Sequence, residues 1–104
     1  MTKLEYTNIF ESITADRTLA ADLDFRSDLI IALLDIFDQK GWTQADAADA
    51  LGIPQPRISE LRRAKVSLFS SDRLIGYLAK LGYHVQPTVS FDPTLLKNEE
   101  TETA

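Results

Sequence analysis

The sequence predicts an all-α fold, a compact helical bundle that ends in a short β-strand. Apolar residues between Leu19 and Phe37 recur at intervals of three, four and seven, which is the period of one buried helix face. Further helical patterns follow, separated by Gly41, Gly52 and Gly82, where helices commonly stop. After Gly82 every second residue is apolar, which is typical of a strand with one buried face.

The chain has 104 residues, which fits one domain. We expect residues 1–13 to form an N-terminal arm, a loop or short turn over the core. Residues 14–91 are predicted to form the helical domain with its strand, and residues 92–104 an acidic, flexible tail.

The first helix is predicted to begin at the N-cap Thr14 and to end at Gly41. The pattern leaves open whether residues 24–27 divide it in two. The second helix follows at once, because Thr43 and Asp46 have the spacing of a capping box, with Asp in place of the usual Glu.

The third helix is predicted to open among prolines, which fit a first helical turn because their missing N–H would have no partner there. Gln55 precedes a proline and is biased away from helical ψ, so regular helix is predicted to begin at Pro56 and to end near Lys65. The fourth helix is expected to have Ser70 or Ser71 as its N-cap and to end before the next glycine.

The composition excludes several kinds of site. The chain has no cysteine, which excludes disulfides and thiolate metal sites, and its single histidine, His84, excludes a multi-histidine metal centre. We therefore expect no metal, no cofactor and no enzymatic activity. The longest apolar run, residues 29–34, is far shorter than the ~20 residues of a membrane span, and the N-terminus lacks a signal-peptide pattern, so we expect a cytoplasmic protein.

The net charge of −5 is unevenly distributed along the chain. Residues 1–40 carry four Lys/Arg and eight Asp/Glu, and residues 85–104 carry one Lys and four Asp/Glu. Residues 41–84 are net positive, with four cations between Arg57 and Lys65. Any binding of nucleic acid is therefore expected on one small basic face. The alternative is that these cations only occupy a helix C-terminus, where they are favoured.

Residues 44–63 have the pattern of a helix-turn-helix. Ala48 is small where the two helices must cross closely, and Gly52 lies in the turn. The inward positions are apolar, and they are Ala47, Leu51, Ile53, Ile58 and Leu61. In DNA-binding proteins this motif holds its second helix out for the major groove, so the pattern predicts a DNA-binding protein.

From Trp42 to Arg63 the sequence WTQADAADALGIPQPRISELRR resembles the Cro/C1-type (XRE) helix-turn-helix family, whose fold is lambda-repressor-like. Residues 55–59, 69–74 and 81–83 are similar to one branch, the HigA-like antitoxins of type II toxin–antitoxin pairs. The resemblance implies a homodimer on a palindromic operator in double-stranded DNA, and transcriptional repression, often of its own operon. In the antitoxin branch it also implies neutralisation of a RelE-fold ribonuclease toxin by direct binding.

The resemblance covers roughly residues 8–90 and has two departures. Pro54 stands where many relatives have a Ser that caps the third helix, and proline cannot cap through a side chain. Ala64 stands where the wider family commonly has Gly.

The helical wheel of the third helix selects candidate DNA contacts, because Ile58 and Leu61 face inward. Gln55 suits adenine, Arg57 suits guanine, and Glu60 can accept from cytosine N4 or keep the helix away from phosphates. The predicted DNA-binding residues are Gln44, Gln55, Pro56, Arg57, Ser59, Glu60, Arg62, Arg63 and Lys65.

Phosphate contacts are assigned to four of these residues. Gln44 opens the second helix, where a side-chain amide and free N–H groups can hold a phosphate. The other three, Arg62, Arg63 and Lys65, are cations at the end of the third helix, where the alternative is an ordinary helix C-terminal charge.

The predicted strand at residues 83–91 needs a partner for its backbone. Residues 4–7, the same strand of a second copy, and an edge of a toxin all fit. We favour the second copy, because symmetric pairing gives the two-fold dimer that a palindromic operator requires. The predicted dimer-interface residues are Tyr83, Val85, Val89 and Phe91.

The sequence thus favours a dimeric repressor, and within that class a HigA-like antitoxin whose acidic segments suit a basic toxin. Two alternatives stay open. One is a stand-alone or phage regulator of the XRE family, and the other is a helix-turn-helix protein-interaction module that does not bind DNA.

Overall fold

The protein's structure, a computed structural model, describes the backbone of residues 3–96 and the side chains of residues 15–96. In that part of the chain there are four α-helices, α1 (Lys3–Lys40), α2 (Gln44–Leu51), α3 (Gln55–Arg62) and α4 (Ser71–Lys80). Two 3-10 turns lie at Val66–Leu68 and Pro93–Leu96. The prediction of a helical fold is confirmed for these residues.

The first helix is longer than predicted. α1 begins at Lys3 and runs through residues 3–13, where a loop or short turn is expected, and through Thr14, which is therefore not its N-cap. It also passes residues 24–27 without a break. The physical reason is that residues 3–40 contain neither Gly nor Pro, so nothing in the backbone interrupts the hydrogen-bond ladder.

One apolar side of α1 supplies a large share of the core. Ile30, Leu33 and Phe37 are at most 1% exposed, and they pack with buried residues of α2, α3 and α4. Leu19 continues the same helical stripe but is 56% exposed. The stripe is therefore longer than the bundle that covers it.

A hydrogen bond ties the start of α4 to α1. The Ser71 hydroxyl donates to the Asp22 carboxylate at 2.9 Å, and Arg26 forms an ion pair with the same carboxylate one turn along α1. The Ser71 hydrogen bond and then Arg26 lower the pKa of Asp22 below its ordinary value, because both favour the ionised carboxylate. Asp22 is therefore charged at neutral pH and holds α4 against α1.

The four helices end in the same backbone arrangement. In α1 the Gly41 N–H donates to the Asp38 carbonyl at 3.1 Å, and the next N–H, of Trp42, donates to the Phe37 carbonyl at 3.0 Å. This pair of bonds is the Schellman motif, and it requires a left-handed residue just after the helix. Glycine supplies it after α1, α2 and α4, with φ of 66°, 68° and 88°.

The third helix has the same pair of hydrogen bonds, but its left-handed residue is alanine instead of glycine. Its Schellman bonds run from the Ala64 N–H to the Leu61 carbonyl at 2.9 Å and from the Lys65 N–H to the Glu60 carbonyl at 3.2 Å. Ala64 has a φ of 54°, and it is the only residue other than glycine with positive φ in the described chain. A left-handed alanine is strained because its Cβ crowds the following carbonyl.

The predicted strand at residues 83–91 is absent from the part of the chain that the structure describes. Residues 83–92 have no regular secondary structure, and no backbone hydrogen bond joins residues 84–91 to a described residue. A strand exists only when a neighbour completes its ladder, and this segment has no such neighbour within the described chain. Of the acidic tail, residues 97–104 lie outside the described residues, and the division into three regions stays a prediction.

We predict that Ala64→Gly stabilises the protein. Glycine adopts the left-handed conformation without crowding, so the free energy of unfolding is expected to rise by about 1 kcal/mol, less any gain in unfolded-state entropy. Urea titration followed by the fluorescence of Trp42, the single tryptophan, measures this change.

The matched control is Gly82→Ala, at a left-handed position where an added Cβ meets nothing within 4 Å. Only backbone strain then acts, and stability is expected to fall by about 1 kcal/mol. An unchanged or lower stability of Ala64→Gly beside a destabilised Gly82→Ala would contradict the assignment of strain to Ala64.

Candidate nucleic-acid interface

The start of α2 is fixed by a capping box, as predicted. The Asp46 N–H donates to the Thr43 hydroxyl at 3.1 Å, and the Thr43 N–H donates to the Asp46 carboxylate at 3.0 Å. These bonds satisfy two backbone donors and place Gln44, which is exposed to solvent, at the first position of the helix. Trp42 packs against the core just before the cap, with its ring centroid 6.0 Å from that of Phe37.

The turn between α2 and α3 is held from two sides. Gly52 is left-handed, and the Ile53 N–H donates back to the Ala48 carbonyl at 3.1 Å. On the other side the Lys80 ammonium, from the last turn of α4, donates to the Leu51 carbonyl at 2.7 Å. The sequence analysis missed this role of Lys80, because the two residues are 29 positions apart and share no local pattern.

The apolar contacts between α2 and α3 agree with the predicted helix-turn-helix. Five inward side chains are at most 5% exposed, and they are Ala47, Ala48, Leu51, Ile58 and Leu61. Ile53 of the turn packs against the same core. The orientation of α3 relative to α2 is therefore set by close apolar packing.

The first turn of α3 begins one residue earlier than predicted. Pro54 is the N-cap and makes no side-chain bond, and the helix starts at Gln55 rather than at Pro56. Pro56 occupies a position in the first turn whose N–H needs no helical partner, which is why the helix accepts it. Gln55 and Pro56 are both exposed to solvent.

The side of α3 that faces away from the core is polar. It carries Pro56, Ser59, Glu60 and Arg63, because Ile58 and Leu61 are completely buried on the opposite side. Arg63 is exposed, whereas Ser59 and Glu60 are half-buried. On this side of α3, Pro56 and Arg63 are thus open to solvent, and Ser59 and Glu60 are partly covered.

Two of the predicted DNA-contacting arginines interact with the protein itself. The Arg57 guanidinium pairs with Glu60 at 3.2 Å and lies 5.3 Å from the ring centroid of Phe69. Arg62 pairs with Asp38 of α1 at 3.4 Å, and its guanidinium lies 6.0 Å from the ring centroid of Phe37. The sequence analysis did not foresee these partners, and the separation of 24 positions between Arg62 and Asp38 leaves no local signal.

The other two predicted cations differ from Arg57 and Arg62 in having no partner within the described chain. Arg63 and Lys65 are exposed, and no described residue forms an ion pair with either of them. They lie at the end of α3 and just after it, next to the strained Ala64. Among the predicted contacts with polar side chains, Gln44, Gln55, Arg63 and Lys65 are exposed and have no side-chain partner within the described chain.

The residues predicted for a dimer interface lie in the segment after α4. Val89 is 93% exposed and Phe91 is 78% exposed, so both present large apolar surfaces to solvent. Tyr83 is 42% exposed, whereas Val85 is half-buried against the chain's own core. Of the four, Val85 is thus the least available to a second copy.

Other kinds of site were sought in the described residues. No group of three His, Cys, Asp or Glu side chains there could hold a metal ion. None of the helices that could be searched is long and apolar enough to cross a membrane.

Comparison with known proteins agrees with this geometry. Residues 13–90 match the helix-turn-helix domain family. A solved structure described as a proposed XRE-family transcriptional regulator is 35% identical, with a TM-score of 0.63, and the match covers 71% of this chain and 83% of that chain. No curated protein matches the sequence. The family match extends over both helices of the motif and over α4, and the solved relative shares the fold across most of its length, so the chain belongs to the XRE-type helix-turn-helix family.

Proposed function

We propose that this protein is a sequence-specific DNA-binding transcriptional regulator that acts as a repressor. The observation that carries the proposal is the exposed polar side of α3, held in place by apolar packing on α2. A helix presented in this way fits the major groove and can read base edges there. The solved relative supports the proposal by its description as a proposed transcriptional regulator.

The proposed contacts divide into two groups. Gln55, at the first position of α3, has an amide that suits the N6 and N7 edge of adenine. Arg57 suits guanine only if its guanidinium leaves Glu60 and Phe69. The second group holds phosphates and fixes the register of the protein on the duplex.

The phosphate contacts are proposed mainly for exposed residues whose side chains have no hydrogen-bond or ion-pair partner among the described residues. Gln44 stands exposed at the N-terminus of α2, where the helix dipole favours an anion. Arg63 and Lys65 are exposed cations at the other end of α3. Arg62 is the weaker candidate, because Asp38 already neutralises part of its charge.

We further propose a homodimer, formed through the segment at residues 83–91. Val89 and Phe91 are apolar side chains that are mostly exposed to solvent, and the backbone between them has no hydrogen-bond partner among the described residues. A second copy placed across a two-fold axis would supply both missing interactions. Two α3 helices would then reach half-sites about one helical turn apart.

Within this class we propose that the chain is the antitoxin of a type II pair of the HigA-like kind. The resemblance of residues 55–59, 69–74 and 81–83 to that branch supports the proposal. The net charge of −4 on residues 1–40 would attract a basic ribonuclease of the RelE fold. The proposed regulation is repression of the operon that encodes both proteins.

DNA binding is expected to be specific and sensitive to salt. Fluorescence anisotropy with the protein's own upstream DNA should show tighter binding than a random duplex of equal length. In Arg63→Met affinity should fall by a similar factor on every sequence, and the slope of log K against log salt should lessen by about 0.9, because one phosphate contact is lost.

The matched control is Arg73→Met, since Arg73 is an exposed arginine on α4 outside the proposed surface. Its slope should equal that of the native protein. Equal affinity for operator and random DNA at physiological salt would contradict the repressor and would favour a protein-interaction module.

The proposed dimer is expected to dissociate when charge is placed on its apolar surface. In Val89→Asp the carboxylates would face each other near the two-fold axis, and sedimentation equilibrium should give the mass of a monomer. Ser90→Asp, on the alternate side of the same segment, is the control and should remain a dimer. A monomeric native protein, or a dimeric Val89→Asp, would refute this interface.

The antitoxin proposal predicts a small basic toxin encoded next to this chain. Expression of that neighbouring protein alone should arrest growth, and expression with this chain should restore it. The chain truncated before Gly82 should still co-purify with the toxin if α1 provides the contact. The absence of a growth-arresting neighbour would leave a stand-alone regulator as the better assignment.

A further inference from the structure

Glu60 occupies an unusual place for an acidic residue. It is the only carboxylate in α3, it lies beside Pro56 on the side of the helix away from Ile58 and Leu61, and its side chain is 27% exposed. A carboxylate on a DNA-facing surface is repelled by phosphates unless its charge is balanced. The structure shows how the balance is achieved in this chain.

Arg57 is the balancing group, and it is held on two sides. Its Nη1 lies 3.2 Å from the Glu60 Oε2 atom, and its guanidinium carbon lies 5.3 Å from the ring centroid of Phe69. Phe69 is itself completely buried, and its ring packs edge-on to that of Tyr77. Arg57 therefore rests on a fixed ring of the core and reaches along α3 to the carboxylate.

This arrangement leaves one carboxylate oxygen available. Arg57 binds Oε2, and no described residue donates a hydrogen bond to Oε1. The pair as a whole carries no net charge, so it can approach the groove with less repulsion than a lone carboxylate. An acceptor oxygen on the outward side of a recognition helix matches the N4 amino group of cytosine.

We propose that Glu60 reads a cytosine through its amino group and that Arg57 is a positioning residue which neutralises and orients Glu60. The proposal rests on the DNA-binding function proposed above and reverses the sequence-based expectation that Arg57 reads guanine. Arg57 acts through Glu60, so the two residues together govern the preference at one base pair.

The test is a set of operator duplexes, each changed at one base pair of a half-site, titrated with five proteins by fluorescence anisotropy. The native protein should prefer a C·G pair at one position by roughly 5- to 150-fold. Glu60→Gln should abolish this preference and shift it toward adenine, which a Gln amide recognises. All other positions should keep their native preferences.

Arg57→Met should weaken the preference at the same base pair at least severalfold, because the apolar stem stays on Phe69 while the guanidinium is lost. In the double variant, which combines Glu60→Gln with Arg57→Met, the second substitution should change nothing further at that base pair, because the Glu60 carboxylate that contacts the cytosine is already lost. Arg63→Met is the control, and its affinity should fall evenly on all duplexes. Urea unfolding followed by Trp42 fluorescence checks that each variant is folded.

Three results would overturn the assignment. Loss of a guanine preference at a different pair in Arg57→Met would make Arg57 the reader. An even rise in affinity for all duplexes in Glu60→Gln would make Glu60 only a repulsive group. A native protein without preference at any pair would refute the proposed function itself, and this assignment with it.

Discussion

The apolar side of α1 is the surface on which the rest of the described structure depends. α3, α4 and the turn at Val66–Leu68 pack directly against it, and α2 is held by its contacts with α3 and α4. Ile30, Leu33 and Phe37 are almost completely buried by these neighbours. The orientation of α3 is therefore set by its packing on α2 and on α1, and α1 contributes no proposed DNA contact.

Charge on the α3 surface is organised by the same core. Phe69 and Phe37, both completely buried, lie under the guanidinium groups of Arg57 and Arg62. Each arginine also pairs with a carboxylate, so two of the four cations between residues 57 and 65 are already balanced inside the molecule. The overall charge of −5 is compatible with local DNA binding, because Arg63 and Lys65 stay exposed and form no ion pair within the described chain.

The predictions that succeeded concern local chemistry. A Thr43–Asp46 capping box and a left-handed Gly52 depend on residues three to five positions apart, and helical periodicity is equally local. The start of α3 at Gln55 differs by one residue, because the preference of a residue before proline is weak beside the packing of Ile58 and Leu61.

Apart from the start of α1, which runs past the predicted N-cap Thr14, the failures concern contacts between residues that are far apart in the sequence. The alternation at residues 83–91 indicates a strand, but alternation cannot supply the neighbour that a strand requires. The partners of Arg62 and Lys80 lie 24 and 29 positions away, where no sequence spacing points to them. The buried side of α3 was thus predictable from the helical wheel, whereas the partners of the side chains on its other sides were not.

The packing of α4 on α1 has a consequence for synthesis on the ribosome. Ser71 bonds to Asp22 across 49 positions, and the buried Leu74 and Leu78 follow it, so the covering helix of α1 is made late. A nascent chain that has released only α1, α2 and α3 still exposes part of the apolar side of α1. The bundle closes only when residue 80 has left the exit tunnel, and until then that surface is open to chaperones or to other nascent chains.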